Sequence, residues 1–208
     1  MEKLLYIEAS PRKTRSSSIE IAKEFLDEYQ KIHLQDELAI VDLWQEQLPE
    51  FDKDTIDAKY AIMHGKPHSE AQMNAWKRIE EIIAKFRDAD KYVFSLPMWN
   101  FGIPYKLKHY IDILVQPTYT FEVTQEGYKG LVANKKALLV YSRGGAYEPN
   151  TEAEKLDLQK PYMETILGFI GFQDFTSIVI EPTLESDEKK EQALHAAKQQ
   201  IQKIASLF

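Results

Sequence analysis

Cysteine is absent from all 208 residues. Its absence excludes disulfides, thiolate nucleophiles and Cys-ligated zinc, and suits a chain kept in a reducing compartment. Long apolar runs are missing too: nothing approaches the roughly 20 residues of a membrane span. Met1-Glu2-Lys3 precedes an apolar run far shorter than a signal-peptide core. A cytoplasmic protein with no membrane partner is the expectation. Positive charge is also short, with 26 Lys and Arg against 33 Asp and Glu for a formal charge of -7. The basic residues are scattered rather than gathered into a stripe, so nucleic acid is not an expected partner. What is present is apolar material, 44% of the chain, which suffices for one sizeable core and points to a single domain over residues 1–208.

Two periodicities alternate along the chain. Leu4-Leu5-Tyr6-Ile7 reads as a strand, and Ile19, Ala22, Leu26 and Tyr29 then mark one face of a helix. A second strand at 38–41 precedes a helix carrying Met73, Trp76, Ile79, Ile83 and Phe86, which Ser69 and Gln72 are spaced to cap. A strand at 92–96 precedes a helix with Leu107, Tyr110, Ile111 and Leu114. The continuously apolar 137–141 then reads as a strand buried on both faces. A helix around Met163 to Phe172, a strand at 178–180 and a last helix from about Asp187 to Leu207 complete five βα units. Strict alternation of this kind predicts an α/β fold, a doubly wound parallel sheet in a three-layer sandwich. Two stretches interrupt it, Trp44 to Pro67 and Pro117 to Gly130, both longer than the usual ~4–6 residue connections. In the second, Tyr119, Phe121 and Val123 alternate ahead of Glu126-Gly127, the pattern of a small hairpin.

Open parallel sheets bind ligands beyond the carboxyl ends of their strands, so the loops after strands one, three and four are the candidates. The first, Ser10-Pro11-Arg12-Lys13-Thr14-Arg15-Ser16-Ser17-Ser18, sets hydroxyls and cations directly before a helix, where free N–H groups and the positive dipole end would meet a phosphate. It contains no glycine and matches neither dinucleotide nor P-loop patterns, which favours a terminal monophosphate over a pyrophosphate. The same serines serve equally well as plain helix caps. After the third strand, Pro97-Met98-Trp99-Asn100-Phe101-Gly102-Ile103-Pro104 combines two stiffening prolines with large aromatics that can line a planar ring; a turn tucked into the core is the alternative. After the fourth, Ser142-Arg143-Gly144-Gly145 lets the backbone approach a flat ligand, although paired glycines alone are no more than a turn signal.

Together with Leu167-Gly168-Phe169-Ile170-Gly171, these segments make the chain resemble the FMN-dependent NADH-azoreductases, also described as NADH:quinone oxidoreductases, through essentially its whole length. The resemblance implies a flavodoxin-like five-stranded fold, FMN as cofactor, and NADH or NADPH as electron donor. It also implies quinone or azo acceptors, ping-pong exchange over one flavin face, and a homodimer. Ser10, Arg12, Ser16, Ser17 and Ser18 then hold the phosphate. Pro97, Met98, Trp99, Asn100 and Phe101 meet the ring, and Ser142, Arg143, Gly144 and Gly145 bind its pyrimidine side. Tyr119, Phe121 and parts of 44–67 close the substrate pocket. No side chain acts as nucleophile, because flavin N5 carries the chemistry. Trp99 stands where the family often has tyrosine, so stacking survives and a hydroxyl contact does not.

Two other classes use some of the same features. An electron carrier of the same fold would be shorter and more acidic around its flavin; a serine hydrolase built on Ser10 would need a positioned base and the G-x-S-x-G elbow, which is missing. The five histidines, His33, His64, His68, His109 and His195, lack a carboxylate cluster at ligand spacing, and no metal is expected.

Overall fold

The computed structural model describes residues 1–67 and 69–208. Its elements run β1 (Lys3–Glu8), α1 (Ser17–Ile32), β2 (Glu37–Asp42), α2 (Lys53–Met63), α3 (Glu70–Arg87), β3 (Lys91–Pro97), α4 (Tyr105–Leu114), β4 (Phe121–Thr124), β5 (Gly127–Gly130), β6 (Lys136–Ser142), α5 (Lys160–Ile170), β7 (Asp174–Ile180) and α6 (Asp187–Leu207). Five strands form one sheet in the order β2-β1-β3-β6-β7, with every neighbouring pair parallel. The order reverses at β1, so the loops after β1 and β3 leave the same rim in opposite directions and open a crevice between them.

Alternation along the central strands explains the layers. Leu5 and Ile7 of β1 and Phe94 of β3 point to one face, where α3, α4 and α5 cover them with Ile79, Ile83, Leu107 and Leu167. Leu4, Tyr6 and Val93 point to the other, under Phe25 and Leu26 of α1 and Ile201 of α6. Each fully buried side chain of this size contributes about 1.5–3 kcal/mol. Two such layers also explain why the central strands read as unbroken apolar runs. Ser69 and Gln72 form the reciprocal capping box expected at the start of α3.

Three readings change. The stretch 44–67 is not wholly irregular: α2 lies within it, begun by Asp52, whose carboxylate accepts from the Thr55 N–H at 2.9 Å. This helix buries only Thr55 and Ala58, so it left no apolar stripe in the sequence. The helix expected to run to Phe172 stops at Ile170, because Gly171 at φ +118° caps it in the left-handed region that glycine enters without strain. The last strand begins at Asp174 rather than 178, its first half being only partly buried.

The expected hairpin is present as antiparallel β4–β5. It is seated by a close backbone contact. Gly130 lies so near Ile170 and Gly171 that a β-carbon there would stand 2.3 Å from the Gly171 nitrogen. The Val132 N–H completes the seat by donating to the Ile170 carbonyl at 2.8 Å.

Candidate functional site

Ser16, Ser17 and Ser18 are buried at the head of α1, yet among the described residues no side chain caps that helix. The first intrahelical bond runs from the Glu20 N–H to the Ser16 carbonyl, so the N–H groups of Ser17, Ser18 and Ile19 have no acceptor within the helix. Ser16 and Ser18 hydroxyls meet each other at 3.2 Å, and Ser10, fully buried, accepts a long 3.4 Å contact from the Arg12 N–H. The plain capping role that these serines could have played is not the one they adopt.

The loop's three cations have different fates. Lys13, at φ +48°, pairs with Glu8 at 2.6 Å and Asp42 at 2.5 Å. Burial pulls its ammonium downward, but the hydrogen bonds to the two carboxylates outweigh that and hold it above the ordinary lysine value. Lys13 is therefore a brace between β1 and β2. Arg12 and Arg15 are exposed and make no ion pair among the described residues.

Trp99 and Gly102 exchange backbone hydrogen bonds at 3.0 and 2.9 Å across a two-residue turn. Asn100 and Phe101 occupy its tip at φ +47° and +69°. Such geometry is typical of a tight hairpin turn. It is uncommon for asparagine and strained for phenylalanine, at about 1–3 kcal/mol. Both residues are exposed, so the turn is not tucked into the core. Met98 is tied to the next strand by its N–H donating to the Ser142 carbonyl at 2.8 Å, and Pro97 is paired with Ser142 in the sheet. The strained tip thus projects beside the 142–145 loop.

In that loop Arg143 departs from expectation. Its side chain is buried and turned inward, donating to Asp157 at 2.7 Å, Glu181 at 3.2 Å and Gln159 at 3.1 Å. Its backbone N–H and carbonyl are also engaged, with Ile180 and Thr183. Arginine's fixed fork of donors suits such an anchoring role, and the residue is only 3% exposed. Gly144 and Gly145 are different: their N–H groups make no hydrogen bond among the described residues. A β-carbon on Gly145 would touch only the Tyr147 ring, at 3.8 Å.

Trp44 opens the 44–67 stretch expected at the pocket, but it was not singled out within it. Its indole N–H donates to the Ala9 carbonyl at 3.0 Å, and its ring lies 5.7 Å from Trp99 and 5.5 Å from Tyr105. It therefore backs the Trp99 ring from the loop after β2. The signal in the sequence was an aromatic three residues after the predicted strand, at the head of a long connection. Beyond it a hollow of about 550 Å³ is lined by Phe51, Trp99, Asn100, Ile103, Tyr105, Lys108, His109 and Asp112.

Tyr119 and Phe121 are not brought to this rim. Tyr119 donates to Glu80 at 2.5 Å and accepts from the Trp76 indole at 3.2 Å; burial, with Glu80 adding to it, raises its phenol above the ordinary value. Phe121 packs on Phe169 at 4.8 Å. Among the described residues neither ring contacts Trp99 or Phe101. Trp76 and Tyr110 are core residues. His68 lies outside the described residues; among the rest, no three His, Cys, Asp or Glu side chains converge as a metal site. Among the described residues no helix is long and apolar enough to cross a membrane.

The rim therefore offers uncapped N–H donors for an anion at one end, two free glycine N–H groups at the other, and aromatics between. A flavodoxin-like fold family matches residues 2–205. The chain is 47% identical over 199 residues, covering 95% of this chain and 93% of its relative, to an FMN-dependent NADH:quinone oxidoreductase of Desulfotalea psychrophila. The chain belongs to the FMN-dependent NADH:quinone oxidoreductase family. Among solved structures, this oxidoreductase chain is similar to an azoreductase from Bacillus anthracis, with TM-score 0.92, 31% identity and full coverage of both chains. It is also similar to an FMN-dependent NADH-azoreductase from Bacillus anthracis solved in complex with FMN, with TM-score 0.91, 28% identity and coverage of 99% and 98%. The flavodoxin-like family thus accounts for the sheet order.

Proposed function

We propose that this chain is an FMN-dependent oxidoreductase that carries two electrons from NADH, or NADPH, to quinones and aromatic azo compounds by a ping-pong sequence. When bound, FMN supplies the two-electron redox centre. The observation that carries the reading is the set of unsatisfied donors along one rim: the uncapped N–H groups of Ser17, Ser18 and Ile19, and those of Gly144 and Gly145. Donors left free at a helix start suit the FMN phosphate, with Ser10 and the serine hydroxyls completing its shell and exposed Arg12 adding charge. Met98, Trp99, Asn100 and Phe101 line the ring. The glycine N–H groups lie where negative charge on the pyrimidine edge would be stabilised. Arg143 acts from behind, as the anchor of that loop.

Tyr119 and Phe121, remote from the rim of their own protomer, close the substrate pocket of a second copy in a homodimer. Exposed Val123 and Tyr128 on the hairpin supply apolar surface for that contact. The protein should purify yellow, release FMN on denaturation, and oxidise NADH rapidly with menadione, giving parallel double-reciprocal lines. A colourless protein that fails to take up added FMN would sink the assignment. NADH inactivity with a stable one-electron form would point to an electron carrier instead.

Gly145→Val tests the ring end. The new side chain meets little of the chain itself, so the melting temperature should stay close to wild type while FMN affinity falls roughly tenfold or more from obstruction of the ring edge. Full flavin content and full turnover in that variant would show that the loop after β6 lies elsewhere.

A further inference from the structure

We infer that Gln159 is a positioning residue: buried against the carboxyl ends of β3 and β6, it couples the 97–101 turn to the 142–145 loop and sets the spacing at which both meet the flavin ring. The inference rests on the ring placement proposed above. Gln159 is fully buried at the start of α5, yet its amide does not cap that helix. Asp157 does the capping, one carboxylate oxygen accepting from the N–H groups of Gln159 at 3.0 Å and Lys160 at 3.1 Å. Gln159 is thereby free to turn away from its own helix. Its Oε1 accepts from Arg143 Nε at 3.1 Å, and its Nε2 donates to the Leu96 carbonyl at 3.4 Å.

Those two partners sit just behind the two ring loops. Leu96 ends the buried part of β3, and Arg143 opens the glycine loop. The neighbouring Leu158 N–H donates to the Phe101 carbonyl at 3.0 Å, so the same short segment also grips the strained turn from outside. Arg143 is then closed in by Asp157 at 2.7 Å and by Glu181 at 3.2 Å, and Glu181 accepts from the Tyr147 N–H beyond the glycines at 3.2 Å. A primary amide gives one acceptor and one donor at this spacing. Leucine would give neither, and a glutamate would set a third carboxylate against one arginine and leave no donor for Leu96.

A flat ligand touched by both loops reads their separation, and small displacements of such supports weaken positioning strongly. The test titrates apoprotein with FMN and with riboflavin, following the quenching of flavin fluorescence, and measures the midpoint potential of the bound flavin. In Gln159→Leu both flavins should lose affinity by the same factor, about tenfold, because the ring is common to them and the phosphate is not. The midpoint potential should shift as well. A merely structural glutamine would lower only the melting temperature. Wild-type affinity for both flavins with an unchanged potential in folded Gln159→Leu would overturn the inference, and so would a loss confined to FMN. Should Gln159→Leu fail to fold, Gln159→Glu keeps the acceptor for Arg143 and loses the donor to Leu96. A parallel loss of FMN and riboflavin there supports the coupling, and wild-type values overturn it. Wild-type apoprotein that takes up neither flavin would instead remove the placement on which the inference rests, before any variant is made.

Discussion

Ser17→Asp should empty the site of FMN while leaving the protein folded. Ser17 opens α1, is 8% exposed, and forms no hydrogen bond through its hydroxyl among the described residues, so the new carboxylate replaces nothing the chain uses. At the amino end of a helix a negative charge is favourable by about 0.3–1 kcal/mol, so the apoprotein should melt no lower than wild type. Against a bound phosphate the same charge is repulsive. Two unit charges about 4 Å apart interact by about 4 kcal/mol at the effective dielectric of a protein surface. Allowing for solvent screening at this rim, FMN affinity should fall by about 100- to 1000-fold. Riboflavin, which has no phosphate, should bind the variant and the wild type alike, and Ser17→Ala should keep most of the FMN affinity. Titration of apoprotein with the two flavins reads this directly, and unchanged FMN occupancy in Ser17→Asp would remove the first loop from the site.

The second large effect is on folding rather than binding. In Gly130→Ala the added β-carbon would stand 2.3 Å from both the Gly171 nitrogen and the Ile170 carbonyl carbon, distances that no real contact tolerates. Relief by a side-chain rotation is not open to it, since both neighbours are backbone. Nor can they retreat easily: the Gly171 N–H is held by the Leu167 and Gly168 carbonyls, and the Ile170 carbonyl accepts from Val132. The hairpin must lift from the end of α5, at a cost of about 3 kcal/mol, or roughly 6–12 °C in melting temperature for a domain of this size. Gly168→Ala, in the same motif, is the control. Its β-carbon meets nothing within 4 Å inside α5, and removing a helical glycine should stabilise by up to ~1 kcal/mol. Equal melting temperatures for the two variants would show that the hairpin is not seated as described.

The elements visible in the sequence were those whose burial is periodic. β1, β3 and β6 are buried on both faces and read as apolar runs; α1 and α3 bury one stripe and read as helices. Two elements with little burial were misjudged or cut short. α2 buries two small residues, and the first half of β7 is only partly covered, so neither left a pattern. The sequence pointed to the three loops because an open sheet offers its crevice at strand ends, and its cluster of serines and paired glycines coincides with N–H groups that have no partner among the described residues. Lys13 and the Arg143 side chain turn out to be held by carboxylates, and Trp44, at the head of the 44–67 stretch, was not singled out within it.

The order of strands and helices apart from α2, and the parallel sheet, follow from the sequence by itself, because hydrophobic period and turn chemistry act over a few neighbouring residues. Partner choice does not. Lys13 could have met a ligand phosphate, yet it is neutralised by Asp42, 29 residues away. Arg143 could have pointed into the crevice, yet Asp157 and Glu181, 14 and 38 residues away, draw it inward. Gly130 matters only because Gly171 arrives against it. A charge or a donor pairs with whichever opposite group comes nearest with the least water between them. That distance is set only when the sheet closes and its helices pack, which is why the tertiary structure alone decided which loop residues are free to bind and which serve as anchors.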